Sequence, residues 1–239
     1  MCGRYTLVNL AQLTQLFPWI TETPAGGATG GAAGDMPRYN IAPSQPILAV
    51  ANDKPDKYDH FFWGLIPSWA KDPTIGNKMC NARGETLAEK NAFKNAYKRR
   101  RCLIPADGFY EWKLNPDGKT KQPMYIRFKG HKPFAFGGLW EYWADDQGNE
   151  IRSATIITTR PNGLMASMHD RMPVIIPPAA FERWLKKGDT PHEELDELIA
   201  PYPESEMEAY PVSKTVNAPR NEGPALIERV EPEKTTLFG

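Results

Sequence analysis

The chain opens "MCGRYTLV", and its second residue is a cysteine, the residue type most easily damaged by oxidation. Initiator methionine is normally trimmed when the next residue is as small as cysteine. Trimming leaves Cys2 with an α-amine and a thiol on one residue. An α-amine titrates near pH 8, so roughly a tenth of it is neutral at pH 7; a lysine amine, near 10.4, is well under a hundredth neutral. A neutral amine attacks an aldehyde to give an imine. The thiol, two carbons away, then adds to that imine and closes a five-membered ring, at the high effective concentration of an intramolecular reaction. Lysine has no thiol for the second step. Packing gives a weaker reason for a cysteine here, because chain ends bury little.

Partners for such chemistry lie in separate polar segments. "NKMCNARGET" carries Asn81, Arg83 and Glu85 together. An amide both donates and accepts, so Asn81 can orient an amine or thiol, whereas Arg83 suits a phosphate oxygen. The plainer reading is a polar loop capping a helix. "PADGFYEWK" sets Glu111 between Tyr110 and Trp112, on the opposite strand face from both. A carboxyl in a dry setting has a raised pKa and moves protons near neutrality; the alternative is an exposed strand face. In "SMHDRMPVII", His169 sits in a polar triplet with Asp170 and Arg171 at the entry to a strand, placed to act as a general acid or simply as a structural histidine. "FWGLIPSWAKD" offers Trp63 to the core and places Trp69, beyond Pro67 and before a polar loop, where an indole can wedge or stack on bases or else pack into the core. Arg4, Arg38, Arg83 and Arg171 are the candidate phosphate ligands.

The elements that must hold these groups are mostly strands. "QPILAVAN", "KYDHFFWGLIP", "RCLIPADGFYEW", "QPMYIRFK", "KPFAFGGLWEYW", "IRSATIITT" and "MEAYPVSKTV" are β-rich runs broken by Gly, Pro, Asn and Asp. "NLAQLTQLF" spaces Leu10, Leu13, Leu16 and Phe17 as a helix with Asn9 as its cap. "GETLAEKNAFKNAYKRR" predicts a longer helix burying Leu87, Phe93 and Tyr97, and "PPAAFERWLKKG" and "PHEELDELIAP" predict short ones. Without βαβ alternation, repeats or a linker, the expectation is a single strand-rich α+β domain, mainly antiparallel sheets curling into a barrel-like core with peripheral helices. It spans residues 1–230, with a Gly-rich surface insertion at about 24–35 and a flexible tail at 231–239. The Gly-rich stretch lacks the Gly-Lys-Ser/Thr ending and flanking elements of a phosphate loop.

Composition narrows the class. Three cysteines (Cys2, Cys80, Cys102) without a C-x-x-C pair argue for a reducing compartment and against a disulfide framework or structural zinc. No apolar run approaches the roughly 18 residues of a membrane span, and no signal peptide is recognisable. Lys and Arg total 29, as do Asp and Glu, so the balance speaks against non-specific coating of duplex DNA but leaves room for a local basic groove. "YKRRR" is the densest positive run.

Together, "MCGRY", "RYNIAP", "FFWGLIPSWA", "NARGET", "CLIPADGFYEWK", "ATIITT", "MHDRMPVII" and "PVSKTVNAPRNEGPALI" resemble the SRAP family, the SOS-response-associated peptidases, in that family's order and over nearly the whole chain. The resemblance implies a shield for abasic sites in single-stranded DNA that forms a thiazolidine crosslink through the N-terminal cysteine during the DNA damage response, with abasic-site lyase activity as an accompanying option. It implies Cys2 as nucleophile, Asn81 as the amide holding it, Glu111 as the acid/base carboxylate and His169 as the group near the sugar oxygen. It further implies Arg4, Arg38, Asn40, Trp69, Arg83, Thr158 and Arg171 as DNA contacts. No cofactor, metal or membrane partner is implied, and a monomer in the cytoplasm at the nucleoid, or in a nucleus, is expected. The family's name keeps a second reading open, an N-terminal-cysteine peptidase in which Glu111 or His169 activates the thiol. Some bacterial members carry two adjacent tryptophans where this chain reads "SWA", which leaves Trp69 alone as wedge.

Overall fold

The computed structural model describes residues 2–21 and 37–231. The Gly-rich segment and nearly all of the tail lie outside the described residues. Thirteen strands appear in chain order: β1 (Tyr5–Leu7), β2 (Arg38–Ile41), β3 (Pro46–Ala51), β4 (Asp59–Trp63), β5 (Asn81–Arg83), β6 (Arg101–Ala106), β7 (Gly108–Leu114), β8 (Lys121–Phe128), β9 (Phe134–Ala144), β10 (Glu150–Thr159), β11 (Met172–Pro173), β12 (Ile175–Ile176) and β13 (Met207–Pro211). They form a five-stranded sheet in the order β13-β8-β7-β1-β2 and an eight-stranded sheet in the order β11-β10-β4-β3-β6-β9-β12. In the larger sheet β10 also pairs with β9, so β10, β4, β3, β6 and β9 close on themselves as a barrel. Pairing is antiparallel except where β10 runs parallel to β4 and β5.

The barrel is expected from its alternation: Trp63, Phe61, Ile104, Phe136, Ala154 and Ile156 are buried together with Tyr5 and Phe109 of the smaller sheet. Tyr5 sets its ring edge-on against Trp63 and Phe136, at centroid distances of 5.2 and 5.7 Å. The second cluster joins the other face to peripheral helices through Phe17, Tyr97, Phe181 and Trp184. Arg101, wholly buried, is tolerated because its guanidinium donates to the carbonyls of Tyr97, Lys98, Trp184 and Lys186 and to the Thr190 hydroxyl.

The helices are shorter than the sequence suggests. Leu13–Leu16 (α1) follows a 3₁₀ turn at Leu10–Gln12, and Asn9 precedes that turn without capping it through its side chain. The helix predicted over residues 84–100 breaks up: only Lys94–Arg99 (α2) is α-helical, behind a 3₁₀ turn at Gly84–Thr86. Leu87 and Tyr97 are buried as anticipated, while Phe93 is only half-buried. The remaining helices, Gly163–Ala166 (α3), Phe181–Trp184 (α4) and Glu193–Asp196 (α5), are single turns. Among the described residues no helix is long and apolar enough to cross a membrane.

One close backbone approach fixes the loop after β4. Gly64 (φ +149°) lies so near Gly76 that an added Cβ would sit 2.3 Å from the Gly76 oxygen, and a Cβ on Gly76 would sit 2.7 Å from the Gly64 oxygen. Only glycine fits both positions without displacing backbone.

Candidate active site

Strand β1 carries the chain start into the protein. It pairs with β7 (Tyr5 opposite Phe109, Thr6 opposite Gly108), and the Tyr110 N–H donates to the Arg4 carbonyl at 2.9 Å. Continuing that register brings Glu111 opposite Gly3, beside Cys2. Far from belonging to a loosely packed terminus, Cys2 is completely buried and joins the main core cluster. Packing is therefore part of the reason for a cysteine at this position.

Three segments converge on Cys2. Strand β5 lies parallel to β10, with Asn81 beside Ile156 and Arg83 beside Thr158. From there Asn81 Nδ2 donates to the Cys2 carbonyl at 2.8 Å and to the Cys80 sulfur at 3.2 Å. Among the described residues no donor reaches its buried Oδ1. Glu111, on β7, is only 3% exposed. Burial pushes its carboxyl up to about 7, and its charge in turn helps burial hold the Cys2 thiol far above the ordinary range. The thiol is therefore protonated at neutral pH.

His169 follows α3, its N–H donating to the Met165 carbonyl at 2.9 Å. Its Nδ1 accepts from the Arg171 N–H at 2.9 Å and lies 2.9 Å from an Asp170 carboxylate oxygen. Burial lowers its pKa and Asp170 offsets this only in part. The ring is thus neutral at pH 7, and the backbone donor at Nδ1 assigns the proton to Nε2.

The DNA-contact candidates separate into two sets. Arg171 is engaged: both terminal nitrogens donate to Glu85 at 2.7 Å, and one also donates to the Thr158 carbonyl at 2.7 Å. Thr158 is itself fully buried, its hydroxyl 3.4 Å from the Ala82 carbonyl. Arg4 donates to Asn40 Oδ1 at 2.7 Å and the Val216 carbonyl at 2.8 Å, with its guanidinium 5.7 Å from the Trp112 ring centroid. Asn40 is fully buried and donates to the carbonyls of Val216, Ala218 and Asn221, so it latches the 216–221 loop to β2. Arg38 donates to Gln45 and lies 3.6 Å from Glu222. By contrast, Arg83 is exposed and has no hydrogen bond or close ion pair from its guanidinium among the described residues. Trp69 is 60% exposed. It sits in a turn closed by Ala70 N–H to the Pro67 carbonyl (2.9 Å) and pinned from β9 by Trp143 Nε1 to the Ala70 carbonyl (2.6 Å).

Sequence reasoning passed over two contributors. Lys121, at the start of β8, lowers the pKa of both Glu111 and His169 by its charge, so it faces the same site. Only the β7–β8 register, which pairs Glu111 with Met124 and Leu114 with Lys121, could have signalled it. Cys80 was seen only as one of the unpaired thiols. Among the described residues no three His, Cys, Asp or Glu side chains converge as metal ligands.

Over residues 1–219 the chain matches the family described as SOS response associated peptidase (SRAP). It belongs to the SRAP family. This SRAP chain is 46% identical over 230 residues to the abasic site processing protein YoqW of Bacillus subtilis (strain 168), spanning 95% of this chain and 99% of that protein. It is 44% identical over 236 residues to the abasic site processing protein YoaM of the same strain, spanning 95% and 98%. Among solved structures, an X-ray structure of a protein from Bacteroides thetaiotaomicron superposes with a TM-score of 0.83 at 25% identity, covering 96% of this chain and all of that one.

Proposed function

We propose that this chain, acting as one domain over residues 1–230, recognises abasic sites in single-stranded DNA and captures them covalently through Cys2 after removal of Met1. The carrying observation is the buried Cys2 clasped by Asn81 next to a carboxyl that titrates near neutrality. The relatives named as abasic site processing proteins support the same reading.

An abasic sugar is mostly a closed hemiacetal. His169 hydrogen-bonds the ring oxygen through Nε2–H while ionised Glu111 takes the proton of the 1′-hydroxyl. The C1′–O bond breaks, solvent protonates the departing ring oxygen, and the ring opens to the aldehyde. Solvent recovers that proton when the nitrogen later deprotonates to the imine. The neutral amine of Cys2 then attacks C1′. Glu111, now protonated, returns its proton to the departing hydroxyl; water leaves and an imine remains. Addition of the thiol forms the C–S bond, and its proton passes to the nitrogen. The balance is protein plus DNA minus one water. A group near pKa 7 serves as both base and acid at neutral pH, and such proton transfers contribute about 10²–10⁴-fold. Ring closure consumes the imine from which strand scission by β-elimination would proceed, so capture outcompetes cleavage. Arg83 holds phosphate and Trp69 stacks beside the gap, where a base costs nothing to unstack because it is missing.

The buried, protonated thiol weighs against the peptidase reading, which needs a thiolate to attack first. The test is direct. A purified sample mixed with an abasic single-stranded oligonucleotide should give a heat-stable shifted band. Its intact mass should equal the protein without Met1 plus the oligonucleotide, less one water. Mature protein that keeps Met1, or no adduct after hours, overturns the proposal.

A further inference from the structure

Cys80 is half-buried and held from two directions, its carbonyl accepting from Trp63 Nε1 at 2.9 Å and from the Ile156 N–H at 3.1 Å. These bonds fix its backbone, and its sulfur lies beside the Cys2–Asn81 contact. An amide nitrogen carries two hydrogens. In Asn81 one is given to the Cys2 carbonyl and the other to the Cys80 sulfur. A single bond would leave the amide free to swing about the N–H···O axis. A second acceptor at a different angle fixes its plane, and with it the direction of Oδ1, the atom with no partner among the described residues.

We propose that Cys80 is a positioning residue for capture: its sulfur takes the second Asn81 hydrogen and so aims Oδ1 to accept from the Cys2 α-amine, with the nitrogen lone pair turned toward C1′. The inference rests on the capture reading above. Cys80 itself touches no substrate and undergoes no bond change.

The experiment compares wild type, Cys80→Ala and Cys80→Ser in single-turnover crosslinking at saturating abasic oligonucleotide. Cys80→Ala should slow adduct formation about three- to tenfold, the loss expected for one neutral hydrogen bond, while the Kd for an uncleavable abasic analogue stays at the wild-type value. Cys80→Ser keeps an acceptor and should recover most of the rate. In parallel, the two Asn81 side-chain amide protons, followed by ¹⁵N NMR on the same proteins without DNA, should be separately shifted in wild type and Cys80→Ser. In Cys80→Ala the proton that faced the sulfur should move to a free-amide position while the one given to the Cys2 carbonyl stays in place. A wild-type rate in Cys80→Ala, or Cys80→Ser as slow as Cys80→Ala, overturns the positioning role while leaving capture intact. An unaltered amide pair in Cys80→Ala does the same without reference to activity. Absence of a wild-type adduct sinks the capture reading and this inference with it.

Discussion

Cys2 and Trp69 stand at opposite extremes of the same molecule. The first is sealed in the core with its carbonyl and sulfur surrounded by protein; the second holds a large apolar ring in water at 60% exposure. Burial raises proton affinities and suits bond making, whereas an exposed, pinned indole suits contact with a partner that brings its own apolar face. The arginines repeat the division. Arg4, Arg38 and Arg171 spend their donors on protein oxygens, and Arg83 alone among these four is left to solvent. On the proposed function, reaction and recognition fall to different parts, and variants in each should fail in different ways.

The largest effect belongs to the sealed side. Cys2→Ala should abolish the heat-stable adduct on denaturing gels. Cys2→Ser should retain an imine that borohydride traps, and nothing stable without it. Next, Glu111→Gln should slow capture by about a hundredfold or more, with the sugar-opening step limiting. The same variant should gain stability at high pH. Glu111 is raised from 4.5 to about 7 in the folded chain. Between those values the folded state binds more proton than the unfolded, so stability falls as pH rises through that window. Above it the full penalty, about 3 kcal/mol as an order of magnitude, is present. Calorimetry should show a wild-type Tm that is lower at pH 8 than at pH 6, and a smaller difference in Glu111→Gln.

The exposed side should give smaller effects, and on binding. Trp69→Ala should weaken affinity by about 1–3 kcal/mol, the usual worth of stacking one base, with Tm unmoved. Smallest is the contrast between arginines. Arg83→Ala should lower the slope of log K against log salt by about one phosphate's share and leave Tm alone. Arg4→Ala should lower Tm by freeing the Asn40 and Val216 latch, and should alter the salt slope less. If Arg83→Ala and Arg4→Ala behave alike in both measurements, the division between latching and recognising arginines is wrong.

Much of the fold was legible because it depends on local alternation. The strand runs around Trp63, Phe136 and Ile156 sit where their patterns place them, and Glu111 points away from its aromatic neighbours into a dry site. The helix over residues 84–100 misled because its apolar residues satisfy the period, yet Asn91 is a poor helix former and Leu87 docks through a 3₁₀ turn where Gly84 passes Ile199 without room for a Cβ. Cys2 could not be placed from its neighbours, since its burial depends on β7 and β5, far along the chain. The arginines were equally opaque: sequence displays the charge of Arg171 and Arg4 but not the Glu85, Asn40 and Val216 oxygens that occupy them.

The paired glycines at 64 and 76 have a mechanical corollary. With two main chains in contact at the root of the loop that bears Trp69, and Trp143 bracing its tip, a load on the indole passes straight into the barrel wall. The turn is held as a stiff tooth, so under the proposed function a strand of nucleic acid stacking on it would have to do the bending.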